Sequence, residues 1–158
     1  VVDSLTIYQK NYINNKMKLS VSPEKLSRGF KKHHIKGLPF SASFNEFSAP
    51  DTGDPHDHPF DFMTHILSGG YTERIYNIDD LGNVEVKDVE RRPGTAHLVK
   101  ATDIHQIVHL PEGHCVTLMV PQSGHVRATC FYRFVDGKVY RRLWNKRKFL
   151  PVLPADSM

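Results

Sequence analysis

His56 and His58 stand one residue apart in the run His56-Asp57-His58-Pro59-Phe60-Asp61-Phe62. Successive side chains of an extended strand alternate faces, so these two imidazoles project together. Neutral imidazole is the commonest nitrogen ligand for iron, zinc, copper, nickel and manganese. Two imidazoles on one face can meet one ion, provided a third ligand arrives from elsewhere in the fold. Three nitrogens would leave coordination positions open, which separates a catalytic site from a closed structural one.

The elements that must position such ligands are short strands. Phe40 to Phe47, Phe62 to Leu67, Tyr71 to Ile78, Val84 to Val89, Ala96 to Val99, Ile104 to Leu110, His114 to Val120, Ala128 to Val135 and Lys138 to Trp144 each read as extended text. Turn chemistry separates them: Ser68-Gly69-Gly70, Asp79 to Asn83, Arg92-Pro93-Gly94, Pro111-Glu112-Gly113 and Asp136-Gly137, the last a type I′ hairpin sequence. Many short strands without alternating helices predict a sandwich or barrel. At the front, Ser22-Pro23-Glu24 has the form of a helix start, and Leu26 and Phe30 lie four apart. The spacing predicts one short helix from about Pro23 to Ile35, ending at Gly37. Residues 1–21 give no assignment.

At 158 residues, 39% hydrophobic and 24% charged, the chain has the makings of one soluble domain with a real core. No apolar run reaches the roughly 18–20 residues of a membrane span. The first residues lack a signal-peptide pattern, so a cytoplasmic location is expected. There Cys115 and Cys130 would be buried free thiols. The net charge of +4 gathers at Lys25 to Lys36 and at Arg141 to Lys148. Those stretches read as a solvated helix face and a solvated tail. Without a nucleic-acid-binding motif, an anionic partner is the lesser expectation. No nucleophile elbow, P-loop, dinucleotide fingerprint or Cys-x-x-Cys appears, which argues against hydrolase, kinase and dehydrogenase chemistry.

The constellation resembles the cupin superfamily, small double-stranded β-helix (jelly-roll) barrels that usually hold a divalent metal. Their first motif carries H-x-H, then a glutamate three or four residues on, then a closing glycine. Here His56 and His58 fill the histidine positions, and Gly69 or Gly70 the glycine. In the second motif Gly94 opens, Lys100 and Thr102 stand where Pro and Gly are usual, and His105 falls on the ligand histidine. His109 takes the place of the final Asn. The match covers about residues 50–120. H-x-H-P-F-D-F followed by I-L-x-G-G-Y also resembles a group of small bacterial and phage cupins with no assigned reaction. The resemblance implies one cupin-like domain over 1–158: an N-terminal extension with the helix (1–38), the barrel (39–145) and a basic tail (146–158).

One departure stands out. The motif's glutamate is replaced by Phe62 if the closing glycine is Gly69, or by Met63 if it is Gly70. The second register turns His65 inward; the first turns it outward. The expected site is therefore His56, His58 and His105, as in thiol dioxygenases, which resemble cupins lacking that carboxylate. Asp61, His65 or Glu73 is a candidate fourth ligand, and loss of the metal is a further option. Tyr71, Glu73 and His109 are candidates to meet substrate or orient a ligand. His33, His34, His97, His114 and His125 read as surface residues.

The leading functional expectation is a metal-dependent, Fe(II)-type oxygenase acting on a small polar molecule, with Zn, Ni or Mn as other candidate metals. The alternative is a non-enzymatic cupin module, ligand-binding or structural, working in an assembly. A third is a sugar isomerase or epimerase using His65 or His109 as general base. A homodimer through the outer strands follows by the same resemblance.

Overall fold

The computed structural model describes residues 19–122 and 126–153. Twelve strands lie in them: β1 (Ser20–Ser27), β2 (Phe30–Lys36), β3 (Ala42–Phe47), β4 (Phe62–Ser68), β5 (Tyr71–Ile78), β6 (Val84–Arg91), β7 (Ala96–Val99), β8 (Ile104–His109), β9 (Cys115–Pro121), β10 (Cys130–Val135), β11 (Lys138–Leu143) and β12 (Leu150–Pro151). No described residue is helical, and none belongs to a helix long and apolar enough to cross a membrane.

One sheet runs β1-β2-β3-β9-β4-β7, antiparallel throughout. The other is assembled from two halves, β6-β5-β8 and β10-β11-β12. The irregular His56 segment joins those halves, bridging to His105 of β8 on one side and to Phe131 of β10 on the other. The histidine pair therefore forms part of the sheet's own seam.

Alternation divides each strand between the barrel interior and the outside. In β4, Thr64 and Ile66 are buried while Met63 and His65 are only partly covered. Inside, Phe47, Ile66, Tyr71, Ile107, Leu110 and Cys115 pack together, with Phe30 stacked on Phe47 at 4.7 Å. A second cluster of Ile104, Cys130, Tyr132 and Val139 lies beneath the last hairpin, where Tyr76 stacks on Phe134. Asp136 and Gly137, with φ of 49° and 71°, make the I′ turn that the sequence predicts. The two cysteines are buried free thiols, pushed up from the usual thiol pKa by desolvation.

The expected helix is a β-hairpin. Ser20 to Ser27 pairs with Phe30 to Lys36, turning at Arg28-Gly29. Phe30 and Lys32 then share the inward face, a period of two where the helix reading used a period of four. Pro23 is compatible because β1 is an edge strand, where a missing N–H costs no ladder bond. Gly29 fits the turn by contact: a Cβ there would come within 2.7 Å of the Ala49 side chain. The Lys25 to Lys36 stretch is thus divided between edge strand β1, which carries the exposed Lys25, a device against edge-to-edge pairing, and the inner strand β2, which carries Lys31, Lys32 and Lys36.

Gly69 shows why the β4–β5 turn carries glycines. Its φ is +78°, and an added Cβ would lie 1.9 Å from the His114 carbonyl oxygen. Gly69→Ala is expected to cost about 2–3 kcal/mol or more, combining left-handed strain with a backbone clash. Urea unfolding would measure it; a change under 0.5 kcal/mol contradicts this account of the turn.

A three-histidine cluster in the barrel

The backbone holds His56 and His58 in place from three sides. His56 N–H donates to His105 C=O at 3.1 Å and His105 N–H returns the bond to His56 C=O at 3.0 Å. His58 N–H donates to Ala101 C=O at 3.0 Å. Between them Asp57 faces the other way and is 1% exposed. Its Oδ1 accepts from Cys130 N–H at 2.7 Å, and its Oδ2 accepts from the Tyr132 hydroxyl at 2.8 Å and pairs with Arg127 at 3.0 Å. The middle residue of H-x-H is therefore the bolt that fastens the pair to β10.

The histidines converge. One ring nitrogen from each of His56, His58 and His105 lies within 4.8 Å of the other two. Ring centroids are 5.2 Å (His56–His58), 5.1 Å (His56–His105) and 4.5 Å (His58–His105), each pair edge-on. Nitrogens this close together could all reach one ion. Nδ1 of His58 is buried and has no partner among the described residues. Burial, followed by repulsion from its neighbours, pushes the His56 pKa down to about 4 and the His58 pKa down to about 2. Both rings are neutral at physiological pH and can offer lone pairs.

Glu73 supplies a carboxylate, but behind a ligand. Its Oε1 lies 2.5 Å from His105 Nδ1, and its Oε2 accepts from Arg91 Nε at 2.7 Å. Burial would raise this carboxyl, yet the bonds and charge from His105 and Arg91 hold it at about 2. A carboxylate in contact with Nδ1 leaves Nε2 as the nitrogen free to face a metal, the usual arrangement behind a metal-bound imidazole. Glu73→Gln is expected to weaken binding of a divalent metal about 10- to 100-fold without unfolding the barrel, as measured by competition with a chelator. Unchanged affinity would mean the carboxylate does not tune the ring.

The remaining candidates separate cleanly. Phe62 lines the cavity, its ring edge-on to His58 at 5.1 Å. Met63 and His65 consequently lie on the other face of β4. Asp61 is exposed and its Oδ1 accepts from Ala101 N–H, so it braces the loop instead of joining the cluster. His109 is exposed. The pairing of β5 with β8 shifts between Thr72 and Glu73, and that bulge turns His109 off the face it would otherwise share with His105. Neither His65 nor His109, the alternative general bases of an isomerase, lines the cavity.

His97, expected at the surface, is instead half-buried beside the cluster. Its Nε2 is 3.5 Å from the Tyr71 hydroxyl and 3.7 Å from Glu73. Burial lowers its pKa to about 4. Tyr71 is buried, and desolvation pushes its hydroxyl above the usual value. Tyr71, His97, Arg91 and Glu73 thus form a chain behind His105. Only tertiary pairing of β7 against β4 reveals it, because His97 has no ligand spacing. His33 and His34 pair with Glu46 and Glu24 on the hairpin, and His114 is exposed; His125 lies outside the described residues.

The cluster opens on a cavity of about 190 Å³ between the two sheets. Phe30, Phe47, Phe60, Phe62, Ile107 and Met119 make most of its wall apolar. This is a small, mostly hydrophobic chamber with a nitrogen-rich end.

No protein-family profile matches the sequence, and no curated protein matches it. Solved structures do match in fold. Hydroxypropylphosphonic acid epoxidase from S. wedmorenis superposes with a TM-score of 0.50 at 10% identity, covering 65% of this chain and 56% of that one. The capsular polysaccharide assembling protein CapF from Staphylococcus aureus gives 0.52 at 16% identity, over 70% of this chain and 31% of CapF. The chain thus spans about half the length of the first and under a third of the second. Identities this low speak for the fold alone: the chain is an all-β barrel with the cupin fold.

Proposed function

We propose that this barrel is a metal-dependent enzyme of the oxygenase type that acts on a small polar molecule. The observation that carries the reading is the convergence of three inward imidazoles, two of them held neutral, at the end of a cavity between the sheets. The donor set fits a divalent transition metal. Nδ1 of His58 makes no hydrogen bond among the described residues, and no carboxylate of those residues belongs to the three-nitrogen group. His56, His58 and His105 would hold the ion, with Fe(II) favoured over Zn(II), Ni(II) or Mn(II). Bound there, Fe(II) would supply redox chemistry with O2 that no side chain provides.

The chain's own residues do the rest. Glu73 fixes the proton and orientation of His105. Phe62, where a carboxylate ligand is usual, keeps the fourth position open and shields the flank of His58 from water. The apolar wall excludes solvent and confines a substrate next to the open positions. The test uses protein purified without a His-tag and loaded anaerobically. One equivalent of Fe(II) per chain is expected, with a rise in Tm and a ferrous-nitrosyl EPR signal when nitric oxide probes the open positions. A fully folded protein that takes up no transition metal would refute the reading and favour the non-enzymatic module. A metal site that gives no nitrosyl signal would refute the oxygenase type alone.

A further inference from the structure

Opposite the histidines, the cavity wall carries one polar rung. Lys32 of β2 pairs in register with Asn45 of β3, and Asn45 pairs with Thr117 of β9. All three line the cavity. The neighbouring rung toward one end is Phe30, Phe47 and Cys115, which is core. On this wall a lysine, an amide and a hydroxyl stand in one row, while the acid that also lines the cavity, Asp51, is engaged through its Oδ2 by Ile107 N–H at 2.8 Å.

Lys32 is the unusual member. Lys31 and Lys36 on the same strand are exposed, whereas Lys32 turns inward and is partly buried. It makes no hydrogen bond or ion pair among the described residues. The nearest anion, Glu24, stands directly across on β1, but its carboxylate is engaged by His34 at 2.6 Å. Desolvation lowers the Lys32 pKa, with Glu24 opposing. In the same rung the Thr117 hydroxyl is buried without a partner, and the Asn45 Oδ1 takes only a long bond from Ser43 at 3.4 Å. Partly burying an ammonium and orphaning a hydroxyl both cost stability. A ligand that supplies the missing acceptors would offset that cost.

Lys32 also lines a second, shallower hollow with His34, Ser43, Gln122 and Val126, which shares Phe60 and Met119 with the cavity. The lysine therefore stands where the chamber meets the outside, well placed to select what enters. One cation flanked by neutral groups matches a singly charged oxyanion better than a phosphate dianion, and 190 Å³ suits a molecule of a few heavy atoms.

The geometry points to a small carboxylic acid as the substrate class, with its carboxylate on Lys32, beside Asn45, and its other end toward His56, His58 and His105. This rests on reading the cavity as the substrate site. The test titrates the full chain, metal-free and Zn(II)-loaded, with propionate, with its neutral isostere propionamide and with inorganic phosphate, followed by amide chemical shifts. Propionate is expected to shift cavity-wall resonances of both forms with at least tenfold higher affinity than propionamide or phosphate. Lys32→Met is expected to lose at least tenfold of that affinity, and Lys32→Arg to recover part of it, while zinc stoichiometry stays as in the parent. Equal binding of propionate and propionamide, tighter binding of phosphate, or indifference to Lys32→Met would each overturn the assignment. Zinc uptake together with propionate binding that does not depend on Lys32 defeats this inference and leaves the metal reading standing. Lys32-dependent propionate binding in a protein that takes up no metal does the reverse.

Discussion

Alanine in place of His58 or of His105 is expected to abolish stoichiometric metal binding while leaving the barrel folded. Each would supply one of three nitrogens, and among the described residues no carboxylate belongs to that group. The loss in affinity should exceed the roughly 10- to 100-fold cost of disturbing an outer partner such as Glu73. The two variants differ in a second respect. His105→Ala also strands the Glu73 carboxylate, which keeps only its bond to Arg91. It should therefore be less stable than the parent even without metal. His58→Ala removes a ring whose buried Nδ1 has no partner, so the metal-free protein should lose chiefly packing against Phe62. Metal analysis paired with thermal melts of the metal-free proteins measures both. Retention of one equivalent of metal by either variant would contradict the three-histidine site.

The second large effect falls on a residue that would never touch metal. Asp57→Ala is expected to destabilise the protein by about 3–5 kcal/mol, the range for breaking a buried charged network by deleting one partner. Cys130 N–H, the Tyr132 hydroxyl and the Arg127 guanidinium would all lose their acceptor, two of them in the interior. Because Asp57 also sets the spacing between the flanking histidines, surviving folded protein should bind metal more weakly. Asp57→Asn keeps the shape and the acceptor for Cys130 but gives up the charge facing Arg127, and should fall between. Urea unfolding of the metal-free chains gives the ordering. A loss below 1 kcal/mol for the alanine variant would mean that the loop is held by its backbone bonds alone.

These two residues show how unevenly the site was written in the chain. His56 and His58 stood out through local spacing and His105 through its place in the cupin-like second motif, and the barrel class followed from short strands and turn chemistry. Asp57 was not legible, because its partners lie more than seventy positions away. His97 was missed for the same reason, its neighbours Tyr71 and Glu73 belonging to a strand of the other sheet that packs against it. His109 misled because period-two reasoning cannot see a bulge, and one shifted residue in the β5–β8 ladder reverses every side chain beyond it. The front hairpin misled through local chemistry: Ser22-Pro23-Glu24 carries helix-start residues. The sheet edge set the outcome, since β1 and β2 gain a ladder and seat Phe30 on Phe47. Glu73 was noticed as a carboxylate near the turn, but its place behind His105 depended on the pairing of β5 with β8.

The account stands or falls on an ion at the point shared by three rings. Crystals of untagged protein grown anaerobically with Fe(II) should give an anomalous difference peak at the iron edge, about 2.0–2.2 Å from one nitrogen each of His56, His58 and His105, with open positions toward the cavity. An empty cluster at full occupancy of the chain, or a peak held elsewhere, such as by His33 and His34 on the front hairpin, would contradict it.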